Sequence, residues 1–200
     1  MTYETFIALP IFAFVASATP GPNTLMLMAS GANFGFRRTV PHMSGICIGF
    51  VAMIVLVGIG VMGVFQRFPE AQTVLTVVSI LYLLYLAWKL ANAAAPGDGG
   101  AAGKPFTFLQ AALFQWVNPK AWTMSVSAMV IYAPAQDFAS VLIVAGAFAA
   151  VAIPAVTLWT AIGQELRRFL TTAWRLRAFN YLMAALLVGS LYPVIFRASP

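Results

Sequence analysis

Two apolar stretches of this chain are each interrupted by proline within a short polar patch: Thr19-Pro20-Gly21-Pro22-Asn23 near the start, and Asn118-Pro119-Lys120 past the middle. Lipid offers no hydrogen bonds, so a membrane helix can open only where its freed N–H and C=O groups meet protein or a polar cavity. Pro20 and Pro119 stand roughly a hundred residues apart, at corresponding places in the two halves of the chain. Paired breaks of this kind point to a central solute pathway built on an internal repeat.

With 62% hydrophobic and 8% charged residues, the chain lies far from the roughly 45–50% apolar and about 25% charged usage of soluble domains. It reads as a single integral membrane domain over residues 1–200, with no room for a separate soluble one. The net charge of +6 does not indicate a nucleic-acid partner, because the basic residues fall between apolar spans and act as orientation signals. Cys47 is the sole cysteine, which excludes an intramolecular disulfide and a cysteine metal cluster. Ala16-Ser17-Ala18 looks like a signal-peptide cleavage site, but Met1 to Phe6 carries no Lys or Arg and includes Glu4. The first segment is therefore expected to stay.

Apolar runs set against polar breaks predict six transmembrane helices, at 5–29, 43–65, 73–91, 106–132, 138–163 and 178–196. The Gly- and Pro-rich connector 92–105 divides half-repeats 1–95 and 105–200. Three spans per half is an odd number, so the halves enter the membrane in opposite senses, as two inverted three-helix repeats with helices 1 and 4 broken. Arg37, Arg38, Lys89, Lys104, Arg167, Arg168, Arg175 and Arg177 fall on one side, against Arg67 and Arg197 on the other. The positive-inside rule makes the first side cytoplasmic and both termini external.

At the first break Pro20 and Pro22 remove two amide protons and Gly21 permits unusual backbone angles. Thr19 and Asn23 then offer a hydroxyl and an amide to a small polar solute, and Asn23 is placed to cap the following half-helix, whose positive end favours a carboxylate. The bland alternative is a kink in a packed helix. At the second break Lys120 lies within an apolar segment, where a charge costs at least ~2.5–3.5 kcal/mol. It either snorkels to an interface or faces the interior, and in the latter case meets a substrate carboxylate alongside Asn118, Gln115 and the carbonyls freed by Pro119.

His42, the only histidine, stands where the first cytoplasmic loop is expected to meet span two. It is the candidate for proton coupling, against the reading of an ordinary interfacial side chain. Gly45-x-x-x-Gly49, with Gly58, Gly60 and Gly63, reads as a close helix-packing face. Tyr82, Tyr85 and Trp88 read as core and interface anchors. No metal-ligand cluster, catalytic triad or Gly-rich phosphate loop is visible, so the chain reads as no enzyme, with no cofactor or metal, and with no ATP drive of its own. A passive channel for small polar solutes and a membrane-embedded enzyme or redox carrier are the alternative classes, the latter short of the reactive residues it needs.

The chain also resembles the LysE/RhtB family of bacterial amino-acid exporters over essentially its full length. The residues that carry the resemblance are Thr19-Pro20-Gly21-Pro22-Asn23, Gly35-Phe36-Arg37-Arg38 with Gly45 and Gly49, Tyr82-Leu83 through Ala87-Trp88-Lys89, and Lys104-Pro105-Phe106 leading to Phe114 through Lys120. Lys104-Pro105-Phe106-Thr107-Phe108 running on to Phe114-Gln115-Trp116-Val117-Asn118 is similar to the cysteine/O-acetylserine exporter subgroup. The resemblance implies efflux of an amino acid across the bacterial cytoplasmic membrane, driven by the proton-motive force, with Pro20, Gly21, Pro22, Asn23, Asn118 and Pro119 as the central breaks. An interior Lys120 without a membrane acid fits a lysine-like cation poorly, so small neutral amino acids or derivatives are the expected cargo, protons the coupling ion and the lipid bilayer the setting. A homo-oligomer stays open.

Overall fold

The computed structural model describes residues 3–61, 67–93, 104–135 and 137–192. These residues form eight α-helices and no strand: α1 (Tyr3–Ala18), α2 (Pro22–Phe34), α3 (Phe36–Leu56), α4 (Pro69–Ala91), α5 (Phe108–Val117), α6 (Pro119–Tyr132), α7 (Phe138–Leu166) and α8 (Ala173–Gly189). A π-helical turn, Val57–Val61, extends α3. Three helical segments are long and apolar enough to cross a membrane, namely Phe36–Gly60, Thr73–Ala91 and Phe138–Leu166, and the α1–α2 pair makes a fourth if it is one bent span. Large apolar side chains such as Val74, Leu81, Leu109 and Ile153 stand more than half exposed, as suits a surface that faces lipid.

Helix ends follow local chemistry. Thr107 and Gln110 form a reciprocal cap on α5, with Gln110 N–H donating to Thr107 Oγ1 at 3.2 Å and Thr107 N–H to Gln110 Oε1 at 3.1 Å. Asp137 caps α7, accepting from the Ser140 N–H at 2.9 Å and its hydroxyl at 2.6 Å. Those bonds favour the carboxylate and hold Asp137 below its ordinary pKa.

The sequence places a loop between 29 and 43, but helix continues on both sides of a single residue. Gly35, at φ 78°, turns the chain in a region that a β-carbon disfavours, and its N–H still closes on Gly31 O at 2.9 Å. The polar residues that suggest a loop are satisfied inside helix. Asn33 donates to Ala29 O at 2.8 Å, and Thr39 donates to Gly35 O at 2.9 Å while sharing a 2.9 Å hydrogen bond with Ser30. Most of the connector (94–103), together with Gly63 and Arg197, lies outside the described residues.

Packing is organised around α7, which touches α1, α2 and α3, while α3 packs on α5 and α4 on α8. The predicted glycine face is used at Gly45, Gly49 and Gly58, but not at Gly60, which turns the chain at φ 106° with nothing within 4 Å of a β-carbon there. A β-carbon on Gly45 would strike the Phe108 carbonyl, and one on Gly49 would lie 2.6 Å from Ala112 Cα. A second close seam, not evident from the sequence, joins α2 to α7: Gly31 abuts the Thr160 carbonyl and Gly163 the Met28 carbonyl. Small residues let helix backbones approach where no hydrophobic effect drives them together. Gly163→Val is expected to overpack this seam by about 1–3 kcal/mol. Thermal unfolding in detergent should show a loss of about 2–12 °C, and an unchanged midpoint would mean the helices can separate freely.

Candidate functional site

The two breaks meet. The Lys120 ammonium donates to the Thr19 carbonyl, and Asn23 and Gln115 form a reciprocal amide pair, with Asn23 Nδ2 to Gln115 Oε1 at 2.8 Å and Gln115 Nε2 to Asn23 Oδ1 at 3.2 Å. Gln115 is fully buried, and its Nε2 also donates to Ala111 O at 2.9 Å. Residues about a hundred positions apart in sequence thus close one site.

Each break is built by an identifiable loss of ladder bonds. A helical N–H bonds the carbonyl four residues earlier, so Pro20 and Pro22 leave Ala16 and Ala18 without their usual donors, and the chain turns through 57° between α1 and α2. Gly21, half-buried and extended, becomes the cap of α2. Its N–H donates to Thr24 Oγ1 at 2.7 Å and the Thr24 hydroxyl returns to Gly21 O at 2.8 Å. The expected capping role of Asn23 is therefore corrected: Pro22 takes the first helical position, which moves the cap to Gly21 and frees the Asn23 amide for Gln115.

At the second break the Lys120 N–H turns aside to Asn118 Oδ1 at 3.1 Å. That strands the Trp116 carbonyl, and the Trp122 indole N–H takes it at 2.7 Å. The Gln115 carbonyl, which Pro119 cannot reach, accepts from the Asn118 N–H at 3.3 Å. Pro119 opens α6, with Asn118 as its cap.

A cavity of about 60 Å³ lies at this junction, walled by Gly21, Asn23 and Thr24, by Asn118 and Lys120, and by Ile46, Phe50 and Trp159 among its apolar sides. At about 10–15 Å³ per water centre, it has room for a handful of waters. The N-termini of α2 and α6 both start here, so two positive dipole ends converge beside a lysine. Among the described residues no carboxylate pairs with Lys120; the recorded ion pair is the exposed Arg168–Glu165 contact at 3.1 Å. A β-carbon on Gly21 would approach Lys120 Cδ to 2.8 Å, so this glycine leaves the lysine its place.

Of the residues singled out from sequence, Gly21, Asn23, Asn118 and Lys120 line the cavity, and Gln115 stands behind Asn23. Thr19 and Pro20 face outward; the Thr19 hydroxyl bonds Val15 O in its own helix, and only its carbonyl serves the site. Pro22 and Pro119 shape the breaks. His42 is not at the loop–helix junction where it was expected. Because α3 starts at Phe36, His42 lies nearly two turns inside it, wholly buried against the Phe106 ring at 5.1 Å, with neither ring nitrogen hydrogen-bonded. Sequence reading missed Thr24, Trp122 and Trp159. For Thr24 the capping spacing from Gly21 was the available signal; the other two depend on tertiary packing.

A sequence profile described as LysE type translocator matches residues 14–190. The chain belongs to this family. Among curated relatives, cysteine/O-acetylserine efflux proteins of Escherichia coli strain K12 and Shigella sonnei strain Ss046 are 28% identical over 131 residues, covering 64% of this chain and 66% of theirs. The Shigella flexneri protein of the same name is 28% identical over 120 residues, covering 59% of this chain and 60% of its own. The match thus spans slightly less than two thirds of these relatives. No solved structure is significantly similar to the chain. Family and relatives are transporters, not enzymes.

In this translocator the amide pair should behave as a coupled unit. Asn23→Leu leaves the buried Gln115 amide, and Gln115→Leu the half-buried Asn23 amide, without its partner, at a cost of about 1–3 kcal/mol. The double variant should lose less than the sum, with a coupling of about 0.5–3 kcal/mol. Unfolding of the three variants in detergent measures it, and strict additivity would deny the pair any mutual dependence.

Proposed function

We propose that this LysE-family translocator is a secondary exporter of small neutral amino acids or derivatives, of the cysteine and O-acetylserine class, driven by the proton-motive force across the bacterial cytoplasmic membrane. The observation that carries the reading is the meeting of the two helix breaks around Lys120. A lysine with only a backbone carbonyl for company, beside two helix N-termini, favours an incoming carboxylate. On this reading the substrate carboxylate replaces the Thr19 carbonyl on Lys120, and the Asn23–Gln115 pair opens to meet the substrate's amino group. The small cavity and, among the described residues, the lack of a facing acid disfavour long cationic side chains. Names borne by the relatives support the cargo class.

In this proposal the six spans form two inverted halves: α1–α2, α3 and α4, then α5–α6, α7 and α8. Supporting this arrangement, α3 packs on its counterpart α7 and α4 on its counterpart α8, while α1 against α7 is mirrored by α5 against α3. Alternating access would then shift the halves about the junction. The basic ends of the helices face the cytoplasm by the positive-inside rule. His42 is the candidate coupling group: its two ring nitrogens have no hydrogen-bond partner, and since burial and the neighbouring Lys89 oppose a charged imidazole, it would take a proton only in a state of the cycle that admits water to it.

Proteoliposomes loaded with labelled O-acetylserine, cysteine, threonine, leucine or lysine test the reading. Wild-type protein should move a neutral member uphill when a pH gradient is imposed; movement only downhill would mean a passive channel. Lys120→Met should cut efflux at least tenfold with insertion intact, and undiminished transport would remove the carboxylate role. His42→Gln should abolish stimulation by the gradient but leave counterflow, and a retained response would place coupling elsewhere.

A further inference from the structure

A second cavity, of about 200 Å³, opens at the other end of α2. Its walls include Ser30 and Asn33 from α2, Trp88 and Lys89 from α4, and Lys104 and Phe106 ahead of α5. Met26 faces this cavity whereas Leu27 faces the first, so α2 is the partition between them. Asn23 and Asn33 mark the two sites, separated by about 15 Å at 1.5 Å per residue.

The two ends of the partition share one chemistry. Asn23 pairs reciprocally with Gln115; Asn33 pairs reciprocally with Asn180, Nδ2 to Oδ1 at 2.8 Å and 3.1 Å in the two directions. Thr24 supplies a buried hydroxyl at one end and Ser30 at the other. Lys120 faces the first cavity, Lys89 and Lys104 the second. Lys89 is half-buried, with Nζ 4.3 Å above the Phe106 ring; the ring's face orients the ammonium and leaves its charge in place. Among the described residues no carboxylate pairs with either lysine.

We infer that this second cavity is a carboxylate-binding site for the exporter's own cargo, from which the solute passes α2 to the Lys120 site. The inference rests on the export reading above. Lys89 and Lys104 hold the carboxylate, Ser30 and the pinned Asn33 form the polar wall, and the basic surroundings orient a zwitterion with its carboxylate inward. An anionic lipid headgroup offers similar charge, but two walls of the cavity are buried side chains of α2, a helix with ten of its thirteen residues buried. That places the polar wall inside the protein.

Equilibrium binding of labelled O-acetylserine to the full chain in phosphatidylcholine nanodiscs tests it. Wild-type protein should bind two equivalents per chain. Lys89→Gln/Lys104→Gln should keep one, lost in turn on adding Lys120→Met, with the other weakened at least tenfold. Retention of the Lys120-dependent equivalent reports that the variant is folded, and Lys104→Gln alone, at an exposed residue, should weaken the second equivalent if the double variant does not fold. A single wild-type equivalent that depends on Lys120 and ignores both lysine changes would overturn the second site and spare the export reading. Displacement of one equivalent by phosphatidylglycerol in the discs would assign the cavity to lipid and overturn the inference. Absence of saturable binding in the wild type would overturn this site and the export reading together.

Discussion

Backbone groups that lipid cannot satisfy are the governing constraint on this molecule. Each unmade hydrogen bond in hydrocarbon costs several kcal/mol, so two open helices can persist only if something answers their loose ends. Here each break supplies the other. Lys120 reaches from the second break to the Thr19 carbonyl at the first, and Gln115 and Asn23 join the same two regions. Two further groups are closed locally, the Gly21 N–H by Thr24 and the Trp116 carbonyl by Trp122. The site is thus assembled from groups that the breaks themselves leave open.

The breaks were legible in the sequence because a missing amide proton is a local property of proline, and because Lys120 in an apolar run demands an explanation wherever it lies. The partners were not. Nothing within a few residues of Asn23 indicates Gln115, so its amide read as a cap until Pro22 was seen to occupy the first turn. The stretch from Ser30 to His42 misled for the opposite reason: its Asn, Thr and His side chains suggested water, yet Asn33 and Thr39 find bonds within and between helices. Helix class and the Gly45–Gly49 contact followed from composition and spacing, whereas the α2–α7 seam uses glycines on two distant helices.

Helix α2 is unusual for a short element in being buried on nearly every side. Met26 joins the cluster of Leu83, Leu86, Phe114 and Leu187; Leu27 joins Met43, Ile46 and Val156; Leu25 and Ala29 join Leu90 and Met183. It therefore touches three separate apolar groups while its ends are tied by amide pairs. Any rearrangement that opens one end must be registered by all of these contacts.

The seam between Gly31 and Gly163 has a mechanical consequence. Where side chains separate two helices, rotamer changes can absorb small relative displacements; where carbonyls rest directly on glycine Cα atoms, as at Thr160 and Met28, there is no such bearing. Helices α2 and α7 are geared together near the C-terminal end of α7, which runs for 29 residues with Pro154 inside it, about 40 Å at 1.5 Å per residue. A tilt of α2 is thereby passed directly to the stretch of α7 after Pro154, where the missing ladder bond gives the helix a place to bend.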